Sequence, residues 1–138
     1  MQKLFTSTAT AVGGRQGSVA SESGTYNLEL GMPMPGVDMT GKTTPEELFA
    51  GAYAACFDSA MTIAAMQKRI QLEGSEITSH VSLNKGTEGY AISVEMNITI
   101  KGVDQTTAEM IVEEGHKICP FSNAIRNNVE VTFNVKAE

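Results

Sequence analysis

The stretch from Thr44 to Met66 constrains this chain more than any other. Thr44-Pro45-Glu46-Glu47 offers a residue able to cap, a proline at the first helical position and a glutamate three residues past the cap. That combination marks a helix N-terminus closed by a capping box. From Leu48 to Met66 the run is rich in alanine and holds a single formal charge, Asp58. No wide polar face is left to meet water, so the helix is predicted to be buried on nearly every side. A helix of roughly 25 residues is about 37 Å long at ~1.5 Å per residue, too long for a short chain to enclose by itself. A second copy is the expected cover, and a homodimer is predicted.

Size sets the rest of the frame. With 138 residues the chain is expected to form one domain, 1–138, burying about two thirds of its unfolded surface. A formal net charge of -6 and a pI near 4.9 argue against a nucleic acid or an anionic membrane as partner, since either calls for clustered Lys and Arg. The N-terminus lacks a basic region followed by an apolar stretch, so no secretory signal is predicted. Leu48 to Met66 approaches membrane-spanning length, but its Ala, Gly, Ser, Thr and Asp58 make it too weakly hydrophobic to insert readily. A soluble, cytoplasmic protein is expected.

Two cysteines in a reducing compartment are seldom a structural staple, so Cys56 and Cys119 are either independent thiols or a redox couple. Neither lies in a CxxC motif, and His80 and His116 are not spaced as zinc ligands. No metal is expected. Helical spacing places Phe49, Ala52, Ser59, Ala60 and Ile63 on the face of Cys56. On that basis alone the thiol is a small core hydrophobe.

Taken in order, residues 3 to 11 alternate in period two and predict a strand that ends at Gly13-Gly14. Arg15 follows, flanked by Gly13, Gly14 and Gly17, which form a turn able to approach another element closely. Ser18 to Ser21 and Tyr26 to Leu30 predict two more strands of an antiparallel meander. Residues 31 to 43 carry two prolines and three methionines and predict an irregular loop, with Met32, Met34 and Met39 as an adaptable apolar surface. The long helix is expected to stop between Arg69 and Glu73.

Beyond it, Ile77, Val81 and Leu83 alternate loosely, whereas Tyr90 to Ile100 alternate cleanly; a turn near Lys85 to Gly89 makes the two a hairpin. Asp104 or Thr106 opens a second helix through Ile118, its stripe formed by Ala108, Ile111, Val112 and Gly115. Pro120 ends that helix with Cys119 at the break, and Pro120 to Ala124 begin a fresh turn whose amides are expected to face the Cys119 sulfur. Val129 to Val135 predict the last strand. Strands in two groups with helices between and after them predict an α+β fold.

Four motifs now stand in a recognisable order: Gly13-Gly14-Arg15, Thr44-Pro45-Glu46-Glu47-Leu48, Ala54-Ala55-Cys56-Phe57 and Cys119-Pro120-Phe121-Ser122-Asn123-Ala124. Together they resemble the OsmC/Ohr family. The glycine-flanked Arg15 and Ala124-Ile125-Arg126-Asn127 resemble its organic hydroperoxide resistance branch. The resemblance implies antiparallel sheets wrapped around a long buried central helix in an intertwined homodimer. It implies a thiol peroxidase in which Cys56 is the peroxidatic cysteine, Cys119 the resolving cysteine, and Arg15 and Glu46 the polar pair that activates the thiolate. No bound cofactor is implied; the reductant is an external dithiol, dihydrolipoamide or a lipoylated protein. Three positions depart from the family pattern: Phe121 where Tyr is frequent, Ile125 where Thr is common, and Asn127 where Gly is common.

The chemistry is consistent with those roles. A free thiol with a pKa near ~8.5 is only a few per cent thiolate at neutral pH, and apolar burial raises that pKa. A guanidinium reverses the trend, and a carboxylate fixes it through paired N–H bonds. Glu46 precedes Cys56 by ten residues, about 15 Å along a continuous helix. Direct contact along one straight helix is therefore ruled out. Either the long Arg15 side chain bridges the gap, the first turn is displaced, or Glu46 reaches the thiol of the other subunit, the last being the favoured solution. Apolar surroundings favour fatty or aryl hydroperoxides over hydrogen peroxide. Two other functions fit the same residues: an OsmC-branch peroxidase with another peroxide preference, and a non-enzymatic module that binds small ligands in an apolar cleft.

Overall fold

Seven strands and three helices make up the fold in a computed structural model that describes residues 1–138. The chain divides into two compact units, Met1–Leu48 and Phe49–Glu138.

The first unit is a four-stranded sheet in the order β1 (Ala9–Val12), β2 (Ser18–Ser21), β3 (Asn27–Leu30), β4 (Lys42–Thr43). β1, β2 and β3 form the expected antiparallel meander, and β4 adds in parallel to β3. The strand predicted over residues 3 to 11 starts only at Ala9. Its ladder ends at the pair Ala9↔Ser21 because β2 turns away there, and the Glu22 amide donating to the Thr8 carbonyl closes the pairing. Alternation predicts which face a residue takes, not whether a neighbour exists to pair with.

α1 (Pro45–Gln67) begins as the sequence predicts: the Glu47 amide donates to Thr44 Oγ1 at 3.0 Å. The second half of the capping box is altered, since the Glu47 carboxylate accepts from the Thr43 hydroxyl. The helix ends earlier than expected. Arg69 turns left-handed at φ 58°, and the Ile70 amide reaches back to the Ala65 carbonyl at 2.9 Å, an ending that glycine usually supplies. By length and composition α1 could cross a membrane, yet Tyr53, Phe57, Ala60, Met61, Ala64 and Ala65 are buried within the chain.

The prediction that α1 is buried on nearly every side is met on one face only. Gly51, Ala52, Ala55, Ser59, Ile63 and Met66 remain exposed. The physical reason is supply: within the second unit, one sheet and α2 cover one side of the helix and no element of that unit covers the other.

β5 (Gly74–Gly86) and β6 (Gly89–Lys101) form a long antiparallel hairpin closed by Thr87-Glu88, with Val94, Met96, Ile98 and Ile100 buried. β7 (Val131–Ala137) lies parallel to β6, from Val94↔Val131 to Ile100↔Ala137. The last strand thus adds in parallel to the expected antiparallel hairpin. α2 (Gln105–Ile118) and α3 (Pro120–Ile125) intervene between β6 and β7, and such a crossover returns the chain in the same direction. α2 is capped by Asp104 Oδ1, which accepts from the Thr107 amide at 2.7 Å, and it buries Ala108, Ile111, Val112 and Gly115 as predicted.

At Gly115 the two helices touch closely: a Cβ there would lie 3.0 Å from Met61 Cγ and 3.2 Å from the Met61 nitrogen. Gly115→Val therefore forces α2 off α1. A loss of about 1–3 kcal/mol is expected, visible as a lower urea midpoint with an unchanged slope.

Candidate active site

In the first unit the bend that carries Arg15 is built by glycine. Gly13 and Gly14 take φ values of 81° and 60°, and a Cβ on Gly17 would lie 1.7 Å from the Val12 carbonyl oxygen. Only residues without a side chain fit this path, which folds Gly14–Gln16 into a single 3-10 turn. The Arg15 guanidinium donates through Nη1 to Glu46 Oε2 at 2.8 Å and through Nη2 to Glu46 Oε1 at 2.5 Å. Glu46 is the less exposed partner, 13% against 40%. The guanidinium hydrogen bonds hold the Glu46 carboxyl below the usual carboxylate range. Two parallel N–H bonds fix the plane of the guanidinium as well as its position.

In the second unit α1 presents Cys56, partly open, and the break between α2 and α3 presents Cys119, fully buried. Both thiols are free, and the Cys119 thiol donates to Cys56 Sγ across 3.6 Å. Burial pushes the Cys56 thiol pKa up, the Phe121 amide opposes that by hydrogen-bonding its sulfur, and neighbouring Cys119 adds to the rise. Two sulfurs this close share a proton more readily than they both ionise.

α3 is seated by side chains. Phe121 stacks on Phe49 with ring centroids 6.2 Å apart and planes 8° apart. The Tyr53 hydroxyl bonds the Ser122 hydroxyl at 2.7 Å, with both residues buried. Tyr53 lies one turn before Cys56 and Ser122 one turn after Cys119, so this bond ties together the elements that carry the sulfurs.

The structure thus brings Arg15 to Glu46 and Cys56 to Cys119, one pair in each unit. The backbone of Phe121, in α3, opposes the rise in the Cys56 thiol pKa. The sequence signalled the turn through Pro120, but not the sulfur it would meet. The Tyr53–Ser122 bond gave no sequence signal, because both residues read as ordinary helix positions. His116 packs edge-on against Phe133 with centroids 5.0 Å apart, and burial lowers its pKa. Asp58 accepts from the Ser75 hydroxyl at 2.5 Å, tying α1 to β5.

Fold and sulfur pair define an α+β dithiol protein. Residues 38–134 match the family described as OsmC-like protein. The chain belongs to that OsmC/Ohr family, on its organic hydroperoxide resistance branch. It is 42% identical to the organic hydroperoxide resistance protein OhrA of Bacillus subtilis, over 97% of each chain. It is 39% identical to an organic hydroperoxide resistance protein of Xanthomonas axonopodis pv. citri, over 94% of this chain and 93% of that one. A crystal structure of an organic hydroperoxide resistance protein OsmC from Legionella pneumophila superposes with a TM-score of 0.91 at 43% identity, covering 98% of this chain and 99% of that one.

Tyr53→Phe leaves the buried Ser122 hydroxyl without its partner. The expected cost is about 1–3 kcal/mol in chemical denaturation, and adding Ser122→Ala should recover a large part of it.

Proposed function

We propose that this protein is a thiol peroxidase that reduces organic hydroperoxides to alcohols. The observation that carries this reading is the pair of unbonded sulfurs 3.6 Å apart, one buried and one partly open. Relatives named organic hydroperoxide resistance proteins support the substrate class. Two unpaired cysteines fit the reducing cytoplasm.

In this scheme the Cys56 thiolate attacks the O–O bond of the substrate. A sulfur–oxygen bond forms, the O–O bond breaks, and the alkoxide departs to become the alcohol. Cys56 is left as a sulfenic acid. The Cys119 sulfur then attacks the Cys56 sulfur; the S–O bond breaks and hydroxide leaves as water with the Cys119 proton. An external dithiol, dihydrolipoamide or a lipoylated protein, restores both thiols by exchange and takes the disulfide itself. No bound cofactor enters the cycle.

Burial works against the thiolate, so a cation has to compensate. We assign that role to Arg15, with Glu46 holding its plane, and place the pair on the Cys56 of the other subunit of a homodimer. The exposed face of small residues on α1, from Gly51 to Met66, supports the second copy.

Steady-state consumption of cumene hydroperoxide, with dihydrolipoamide compared against glutathione and thioredoxin, tests the cycle. Cys56→Ser should abolish turnover; unchanged consumption would replace this reading with a ligand-binding module. Cys119→Ser should consume about two equivalents and then stop, the first forming the sulfenic acid and the second driving Cys56 to sulfinic acid. Arg15→Met should slow Cys56 oxidation about a hundredfold to a thousandfold and move the thiolate absorbance titration to higher pH. Ala55→Arg, which charges the exposed face, should give a monomer by sedimentation and lose peroxidase activity; a monomer at full rate would refute the shared site.

A further inference from the structure

The break that carries Cys119 leaves carbonyls in the last turn of α2 without their usual partners, that of His116 among them. In a continuous helix the His116 carbonyl would accept from the amide four residues on. That residue is Pro120, which has no N–H to give. Cys119 itself leaves the helical region, with φ -60° and ψ 121°, although its amide still bonds the Gly115 carbonyl at 2.9 Å. The His116 carbonyl, in the last turn of α2, is therefore left without a helical partner.

Arg126 serves it. Its Nη2 donates to the His116 carbonyl, and its Nη1 donates to Asn123 Oδ1 at 2.6 Å. The first partner lies on α2 and the second on α3, one on each side of Cys119. The Arg126 amide also closes α3 on the Ser122 carbonyl at 2.9 Å. One planar fork therefore spans the break, and a cation sits at the C-terminal end of α2, where the helix dipole favours it. The following residue, Asn127, takes φ 65°, the left-handed turn that leads the chain away from α3 toward β7.

We propose that Arg126 is a positioning residue for Cys119. By replacing the hydrogen bond that Pro120 cannot make, it clamps the end of α2 to α3 and holds the Cys119 sulfur at the distance from which it closes on Cys56. The guanidinium touches neither sulfur and acts through the backbone. The closure clause rests on the peroxidase reading above: Cys119 attacks the Cys56 sulfenic acid, the S–S bond forms as the S–O bond breaks, and water leaves.

The test separates the two steps. After one equivalent of cumene hydroperoxide, sulfenic acid formation at Cys56 is followed by dimedone trapping and disulfide closure by mass spectrometry. In Arg126→Met, the first step should change by less than about threefold, while closure should slow about tenfold to a hundredfold, the penalty for misplacing a reacting atom by about 1 Å. When a second equivalent of hydroperoxide is added, sulfinic acid at Cys56 should accumulate as a result. Arg126→Lys keeps the charge but has one donor point in place of a fork, and should recover only part of the closure rate. Closure at the wild-type rate in Arg126→Met overturns the proposal, as does equal slowing of both steps.

A second measurement does not depend on peroxide. In Cys56→Ser protein the buried Cys119 should react slowly with a thiol reagent under native conditions, and Arg126→Met should speed that reaction at least about tenfold. Equal labelling rates overturn the clamp. If the wild-type protein forms no disulfide, the peroxidase reading fails, and the labelling rates alone decide whether Arg126 holds Cys119.

Discussion

Everything specific about the second unit depends on keeping two sulfurs 3.6 Å apart without bonding them. A disulfide needs about 2.05 Å between its sulfurs, so the pair is in contact but unbonded. Cys56 sits within an unbroken helix whose buried face packs in the core, whereas Cys119 sits between helices at a residue that has left helical geometry. The two sulfurs are thus carried by different backbone, one within a helix and one at an extended residue between helices.

Several of these features were legible in the sequence because they follow from local rules. The cap at Thr44 needs only a hydroxyl at the right spacing, and the stripe on α2 needs only apolar residues at helical period. Pro120 marks a break wherever it falls. The sheet was less legible. Val131 to Ala137 alternate in burial as the sequence implies, but alternation is the same for a parallel and an antiparallel strand. Direction is set by the crossover through α2 and α3. Residues 3 to 8 likewise carry the alternation of a strand without a neighbour in the first unit to pair with.

The long helix illustrates a different limit. Its lack of charge implied burial on nearly every side, and within the chain only the face from Tyr53 to Ala65 is covered. Composition states what a surface requires, not which molecule supplies it. Small residues on the open face, Gly51, Ala52 and Ala55 among them, allow a flat and close approach. Of the four candidate site residues, the structure joins Arg15 to Glu46 and Cys56 to Cys119, both through contacts between residues distant in the chain that no local pattern reveals.

The three departures from the family pattern show which parts of the site depend on side chains. Phe121 lacks a phenol hydroxyl, yet its backbone still offsets the rise in the Cys56 thiol pKa, an effect that needs no hydroxyl. Its ring meanwhile stacks on Phe49, a contact that needs no hydroxyl. Ile125 packs against the core cluster, exchanging a polar atom for buried apolar area. Asn127 stands at φ 65°, a conformation that asparagine tolerates better than most residues and glycine best of all. The backbone path around Cys119, shaped by Pro120 and tied by Ser122 and Arg126, sets where the second sulfur lies.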